Sequence, residues 1–117
     1  MKLFIQYPKC STCRKAAKWL QDNNIEVEVR HIVEANPTAE ELDVWIDRSG
    51  LEVQKFFNTS GKVYKENNLK DVVKTASREE LVKLLASDGM LVKRPLLVGD
   101  DFVLVGCKEE DWQNVKL

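Results

Sequence analysis

Apolar and polar positions alternate in two short stretches near the start of the chain, and between them the apolar ones recur at helical spacing. In "KLFIQY", Leu3 and Ile5 alternate with Lys2, Phe4 and Gln6, and Pro8 closes the run. This pattern predicts a strand with Leu3 and Ile5 inward. From Ser11 to about Asn24 the period becomes helical, with Cys13, Ala17 and Leu20 at i, i+4 and i+7 and Ala16 beside them. Lys15, Lys18 and Asp22 are left to water, and Asn23–Asn24 stops the helix. "IEVEVRHI", Ile25 to Ile32, then alternates strictly and is the clearest strand of the chain. Two strands joined by a helix are expected to lie parallel with a right-handed crossover.

The middle of the chain reads as helical. Thr38 as N-cap with Glu41 three residues on predicts a capping box. Leu42, Trp45 and Ile46 form the stripe of that helix, and Ser49–Gly50 ends it. "LEVQKFFN" predicts a short helix or turn, and "TSGKVYKENNLK" a polar loop anchored by Tyr64 and Leu69. Ser77 and Glu80 predict a second capping box, before a helix with Leu81, Leu84 and Leu85 on one face and a stop at Gly89.

Two apolar runs follow, Leu96 to Val98 and Phe102 to Val105, joined by Gly99-Asp100-Asp101. They read as a β-hairpin. "KEEDWQNV" predicts a short amphipathic helix, with Trp112 and Val115 packing back; Trp19, Trp45 and Trp112 are expected to pack the helices. The order is β-α-β, then helices, then β-β-α. A βαβ unit and a ββα unit can share one four-stranded mixed sheet, which is the thioredoxin-like α/β plan. A single domain over residues 1–117 is expected, with a helical insertion at approximately 37–90.

Composition narrows the function classes. The chain has 117 residues, 44% hydrophobic and 32% charged, with a net charge of −1. This balance fits one packed domain. It lacks the basic footprint of a nucleic-acid binder, so no direct nucleic-acid contact is expected. No apolar run reaches the roughly 18 residues of a membrane span, and the apolar segment of "MKLFIQYPKC" is too short for a signal peptide. A cytoplasmic location is expected, where three cysteines argue against a disulfide scaffold.

The chemistry then centres on "YPKCSTCRKA". Cys10 falls where the first strand gives way to the first helix. Unpaired backbone N–H groups and the helix dipole favour negative charge there. A thiol at such a site has its pKa lowered from about 8.5 to roughly 3.5–7.5. Lys9 and Arg14 stand near enough in sequence to push the same way. Cys13, about one turn further in, is expected to be more buried and to resolve a mixed disulfide formed at Cys10. Two other readings stand beside redox chemistry. Zinc wants four ligands, and only Cys107 and the one histidine, His31, remain to supply them. Buried cysteines also simply pack, as Cys107 after Gly106 is expected to do; His31 is given no role. Arg94-Pro95 is the second feature. Pro95 opens the hairpin, and a thioredoxin-type site often sets a cis-proline against the active cysteine, which would bring Arg94 close to Cys10. Arg94 would then favour the thiolate or bind an anionic substrate group.

Together "YPKCSTCRKAAKWL", "FFNTSGKVYKE", "LLASDGMLVKRPLLV" and "VGCKEEDW" resemble the arsenate reductase–like (ArsC/Spx) family, in family order across nearly the whole chain. The likeness is to its short Spx/MgsR-type members. It implies a thioredoxin-like fold with a helical insertion. Cys10 matches the nucleophilic cysteine, Arg94 the arginine before the cis-proline, Pro95 here, and Cys13 the second redox cysteine of the Spx-type branch. Glutaredoxin-coupled arsenate reductases add two further arginines, which fall at Asn58 and near Lys108. Losing fixed guanidinium donors weakens a small-oxyanion site. The resemblance thus implies a thiol–disulfide redox protein needing no cofactor, with thioredoxin, glutaredoxin or glutathione as reductant. Its alternatives are a redox-switched regulator that binds the C-terminal domain of the RNA polymerase α subunit, and an arsenate reductase.

Overall fold

The computed structural model describes residues 2–106, 112 and 113. Strand β1 (Lys2–Gln6), helix α1 (Ser11–Asp22) and strand β2 (Val27–His31) form the predicted parallel unit, in register from Lys2 opposite Val27 to Gln6 opposite His31. Strands β3 (Leu96–Val98) and β4 (Val103–Val105) form the hairpin. β3 pairs antiparallel with β1, giving a four-stranded mixed sheet in the order β2-β1-β3-β4. This is a thioredoxin-like fold.

Both faces of the central strands are covered, so neighbouring residues enter different cores. Phe4 and Leu97 pack with Ala16 and Leu20 of α1 and with Trp112. Ile5, Leu96 and Val98 point the other way, into a larger core shared with the helical layer. The expected assignment of Phe4 to the polar side of β1 is therefore wrong: Phe4 is buried and Leu3 only partly so. Alternation separates core from solvent only where one face is wet.

The helical layer begins with α2 (Ala39–Ser49), whose capping box forms in both directions: Glu41 N–H donates to Thr38 Oγ1, and Thr38 N–H to Glu41 Oε1. Leu42, Trp45 and Ile46 are its buried stripe, and Gly50 closes it at φ 71°, a left-handed position that suits glycine. Arg30 of β2 grips Glu41 with two bonds of 2.6 and 2.8 Å and lies over the Trp45 ring. A 3₁₀ turn (Val53–Phe56) follows.

The segment expected to be a polar loop is instead α3 (Lys62–Glu66), leading into α4 (Leu69–Thr75). Tyr64 and Leu69 are buried anchors as expected. Leu69 and Val73, at i and i+4, fasten α4 to the core; five to seven residues are too few for periodicity to stand out in sequence. α5 (Arg78–Ser87) starts at Ser77, which accepts from Glu80 N–H, one half of the expected box. Its inward positions are Leu81, Val82 and Leu85, with Leu84 only partly buried. Gly89 does not stop this helix. Asp88 does, and its carboxylate accepts from Met90 N–H to open a 3₁₀ turn (Gly89–Leu91). Gly89 is needed for close approach, since a Cβ there would collide with the Ile32 carbonyl.

Of the expected C-terminal helix only Trp112 and Gln113 are described; Trp112 is buried, its indole N–H donating to the Gly106 carbonyl. Cys107, Lys108 and Val115 lie outside the described residues. Among the described residues, no helix is long and apolar enough to cross a membrane.

Candidate functional site

Pro8 and the turn after it deliver Cys10 to the N-cap of α1 in extended conformation (φ −87°, ψ 120°). The Cys10 N–H donates to the Tyr7 carbonyl at 2.9 Å, and the Cys13 N–H points back at the Cys10 sulfur at 3.4 Å. The thiol thus occupies the place a serine or aspartate oxygen usually takes at a helix start. The first turn of α1 holds no acidic residue to compete with it.

The two thiols are held in opposite states. Burial of Cys10 opposes its ionisation, but hydrogen bonds from the Cys13 side chain and backbone, the Arg94 charge and the Thr12 N–H outweigh it and hold the Cys10 pKa below that of an ordinary thiol. Cys13 is fully buried. That burial, helped by the Cys10 hydrogen bond and charge and opposed by a Tyr7 backbone hydrogen bond and Arg94, pushes its pKa up to about 12. Both cysteines are free thiols in this structure.

Cys10 opens onto a cavity of about 450 Å³ lined by Thr12, Asn58, Ser60, Lys93, Arg94 and the backbone around Gly106. The far wall is built by the helical layer. Phe57 and Val92 form an isolated antiparallel bridge, flanked by Asn58 N–H to Leu91 O and Lys93 N–H to Phe56 O, each at 2.7 Å. That bridge carries Asn58 and Lys93 to the cavity and leads into the cis Arg94–Pro95 bond. The Pro95 carbonyl accepts from Gly106 N–H at 2.8 Å, closing the rim. Two cationic side chains, Lys93 and Arg94, line the cavity, and none of the described lining residues is acidic.

Of the residues singled out from sequence, the fold brings Cys10, Cys13 and Arg94 together, beside the cis Pro95. Lys9 and Arg14 are exposed and do not line the cavity, because the start of α1 turns both outward. Asn58, expected at the position of a family arginine, lies in the cavity wall. Sequence reasoning missed Tyr7, Thr12, Ser60 and Lys93. Tyr7 precedes the C-x-x-C motif, Thr12 lies inside it and Lys93 precedes Arg94, so adjacency was the available signal; Ser60 is two residues beyond Asn58 and reaches the cavity through the tertiary bridge. His31 lies edge-on to Tyr7, its Nδ1 accepting from Val33 and Glu34 N–H groups. No three His, Cys, Asp or Glu side chains converge as a metal site among the described residues.

Fold and site define a thioredoxin-like protein with a C-x-x-C pair at the start of its first helix. The ArsC family model matches residues 5–115, and the chain belongs to that family. It is 50% identical over 111 residues to the uncharacterized protein YusI of Bacillus subtilis (strain 168), covering 95% of this chain and 94% of YusI. It is 30% identical over 103 residues to the regulatory protein MgsR of the same organism, covering 88% and 80%. A solved structure from Bacteroides fragilis, described as ArsC family related, superposes with a TM-score of 0.95 at 59% identity and covers 98% of this chain and 97% of that one.

Proposed function

We propose that the protein is a thiol–disulfide oxidoreductase in which Cys10 is the nucleophile, Cys13 the resolving thiol and Arg94 the cation that favours the Cys10 thiolate. The observation that carries this reading is the pairing of a half-exposed, acidified Cys10 at a helix N-cap with a buried, protonated Cys13 one turn away. The Cys10 thiolate attacks one sulfur of a substrate disulfide. A Cys10–substrate bond forms, the substrate S–S bond breaks, and the leaving sulfur takes its electron pair and a proton from water. Two of the influences that raise Cys13, the Cys10 hydrogen bond and the Cys10 charge, vanish once Cys10 is in that mixed disulfide. Cys13, still buried, then passes its proton to the departing substrate sulfur as it attacks the Cys10 sulfur, and the second substrate thiol leaves. The substrate gains two electrons and the pair closes to a disulfide, which thioredoxin, glutaredoxin or glutathione reopens.

Trapping tests the reading. The Cys13→Ser variant should accumulate a mixed disulfide through Cys10, and a Cys10 that stays unreactive from about pH 6 to 9, a range bracketing a free thiol, would sink it. A Cys10–Cys13 potential near about −270 mV fits a reductase, and a clearly more oxidising value fits a sensor or oxidant.

The 30% identity to MgsR favours a second reading, a redox-switched regulator. Under it, the Cys10–Cys13 disulfide would govern binding to the C-terminal domain of the RNA polymerase α subunit. A pull-down with oxidised and reduced protein separates the two, and absence of binding in both states removes the regulator. Turnover of arsenate with glutathione and glutaredoxin would instead favour the third reading, for which Asn58 and Arg94 would have to serve as the oxyanion donors.

A further inference from the structure

Among the described residues Arg94 is the cation that acts on both cysteines, yet its hydrogen bonds hold it weakly. Its guanidinium makes two long contacts of 3.4 Å, to the carbonyls of Met90 and Val92, and its buried Nε has no partner among the described residues. What it does have is the Tyr7 ring, 5.2 Å from Cζ to the ring centroid. That ring is anchored twice. The Tyr7 backbone carbonyl accepts the Cys10 N–H, so the residue that carries the ring belongs to the same turn as the nucleophile. His31 clamps it edge-on at 5.7 Å, and the imidazole is itself fixed by two N–H donors of the Ile32–Ala35 turn, each at 3.1 Å.

We propose that Tyr7 is a positioning residue that holds the Arg94 guanidinium, by a cation–π contact, in place in the cavity it shares with Cys10. The inference rests on the thiol-redox reading and adds a residue to it. An arginine with several rotatable bonds and two weak hydrogen bonds would otherwise spread over many rotamers, diluting its field at the sulfur. Stacking on a ring tied to the same turn as Cys10 removes that freedom. The phenolic oxygen plays no part in the argument; the ring face does.

The test is the pH profile of Cys10 alkylation by iodoacetamide, read at the Cys10 peptide by mass mapping in the full chain. Tyr7→Phe should follow the wild type. Tyr7→Leu should raise the deprotonation midpoint by about half a pH unit and slow alkylation near neutrality about two- to five-fold, the range a cation–π contact supports. In an Arg94→Met background, Tyr7→Leu should add nothing. Pentafluorophenylalanine at position 7 guards against a folding defect, since it keeps the ring's shape while reversing the charge on its face; it should behave as Tyr7→Leu. A wild-type midpoint at or above about 8.5 overturns the redox reading and the inference together. A low wild-type midpoint that leucine and the fluorinated ring leave unmoved, or a leucine shift undiminished without Arg94, overturns the inference alone.

Discussion

The two faces of the sheet are unequal. On one, α1 and Trp112 cover a small cluster of Phe4, Ala16, Leu20 and Leu97. On the other, Ile5, Leu96 and Val98 begin a core that runs through Leu42, Ile46, Phe56, Leu81, Leu85 and Val92. The small face presents the nucleophile, because α1 starts at Cys10. The large face holds most of the buried apolar residues described and contributes, through the Phe57–Val92 bridge, the wall that faces the nucleophile. Burial is what stabilises a fold, whereas a reactive thiol needs access and positive potential. The small face supplies the exposed thiol, and the large face supplies both most of the buried core and the cations that face that thiol.

The strongest test of that division is a pair of substitutions. Cys10→Ser should reduce disulfide exchange to background while changing stability by no more than about 0.5 kcal/mol, since serine is itself a good N-cap. Phe56→Ala, at a fully buried position of the large core, should cost about 3–5 kcal/mol, a large share of a domain's usual stability of about 5–15. Urea unfolding followed by tryptophan fluorescence measures both. A Phe56→Ala cost under about 1 kcal/mol, or a Cys10→Ser cost near that of Phe56→Ala, would break the comparison.

The small face and the site were far easier to read from sequence than the large face. Local periodicity locates β1, α1 and β2, and two apolar runs locate the hairpin, although alternation misplaces Phe4 and points Val29 inward; Cys10, Cys13 and Arg94 stand out because their chemistry is tied to element ends. The α2 capping box was legible because both of its partners lie within one turn. α3 and α4 were not, because each is too short for a period to repeat, and their anchors are fixed by tertiary contacts. Gly89 misled for a related reason. A glycine near a helix end suggests a stop, but this one answers to the Ile32 carbonyl, far away in sequence. Ser60 enters the cavity because the Phe57–Val92 bridge brings its loop there, and the one hint in sequence was Asn58, two residues earlier, at the expected place of a family arginine.

A smaller effect comes from the ion pair that ties β2 to the large face. The Arg30 hydrogen bonds, against the opposing effect of burial and with help from Thr38, lower Glu41 from 4.5 to about 2. A carboxylate whose folded pKa is depressed adds stability that is full above its unfolded value and is lost as pH falls. The window here is therefore from about 4.5 down to about 2. With Glu41 about a third exposed, screening discounts the gain to about 1–2 kcal/mol. Glu41→Gln should lose that amount at pH 7 and flatten the fall in melting temperature across the acid window. An unchanged acid profile would show that the pair contributes nothing measurable.

The smallest expected effect falls on the neighbouring residue. Val29 sits opposite Phe4 in the sheet, so both belong to the α1 face, yet Phe4 is 1% exposed and Val29 59%. The cover over that face reaches Val27 at the start of the edge strand but not Val29. Arg30 sits opposite Ile5 on the large face, where the helical layer reaches out to the edge and meets it with Glu41 and Trp45. Val29→Lys should therefore change stability by less than about 0.5 kcal/mol. Arg30→Met should cost more, because it strips the Glu41 carboxylate of the partner that holds it ionised. If Val29→Lys proves as costly as Arg30→Met in urea unfolding, the α1-face cover extends beyond Val27 to Val29 after all, and the two faces are less unequal than their buried residues imply.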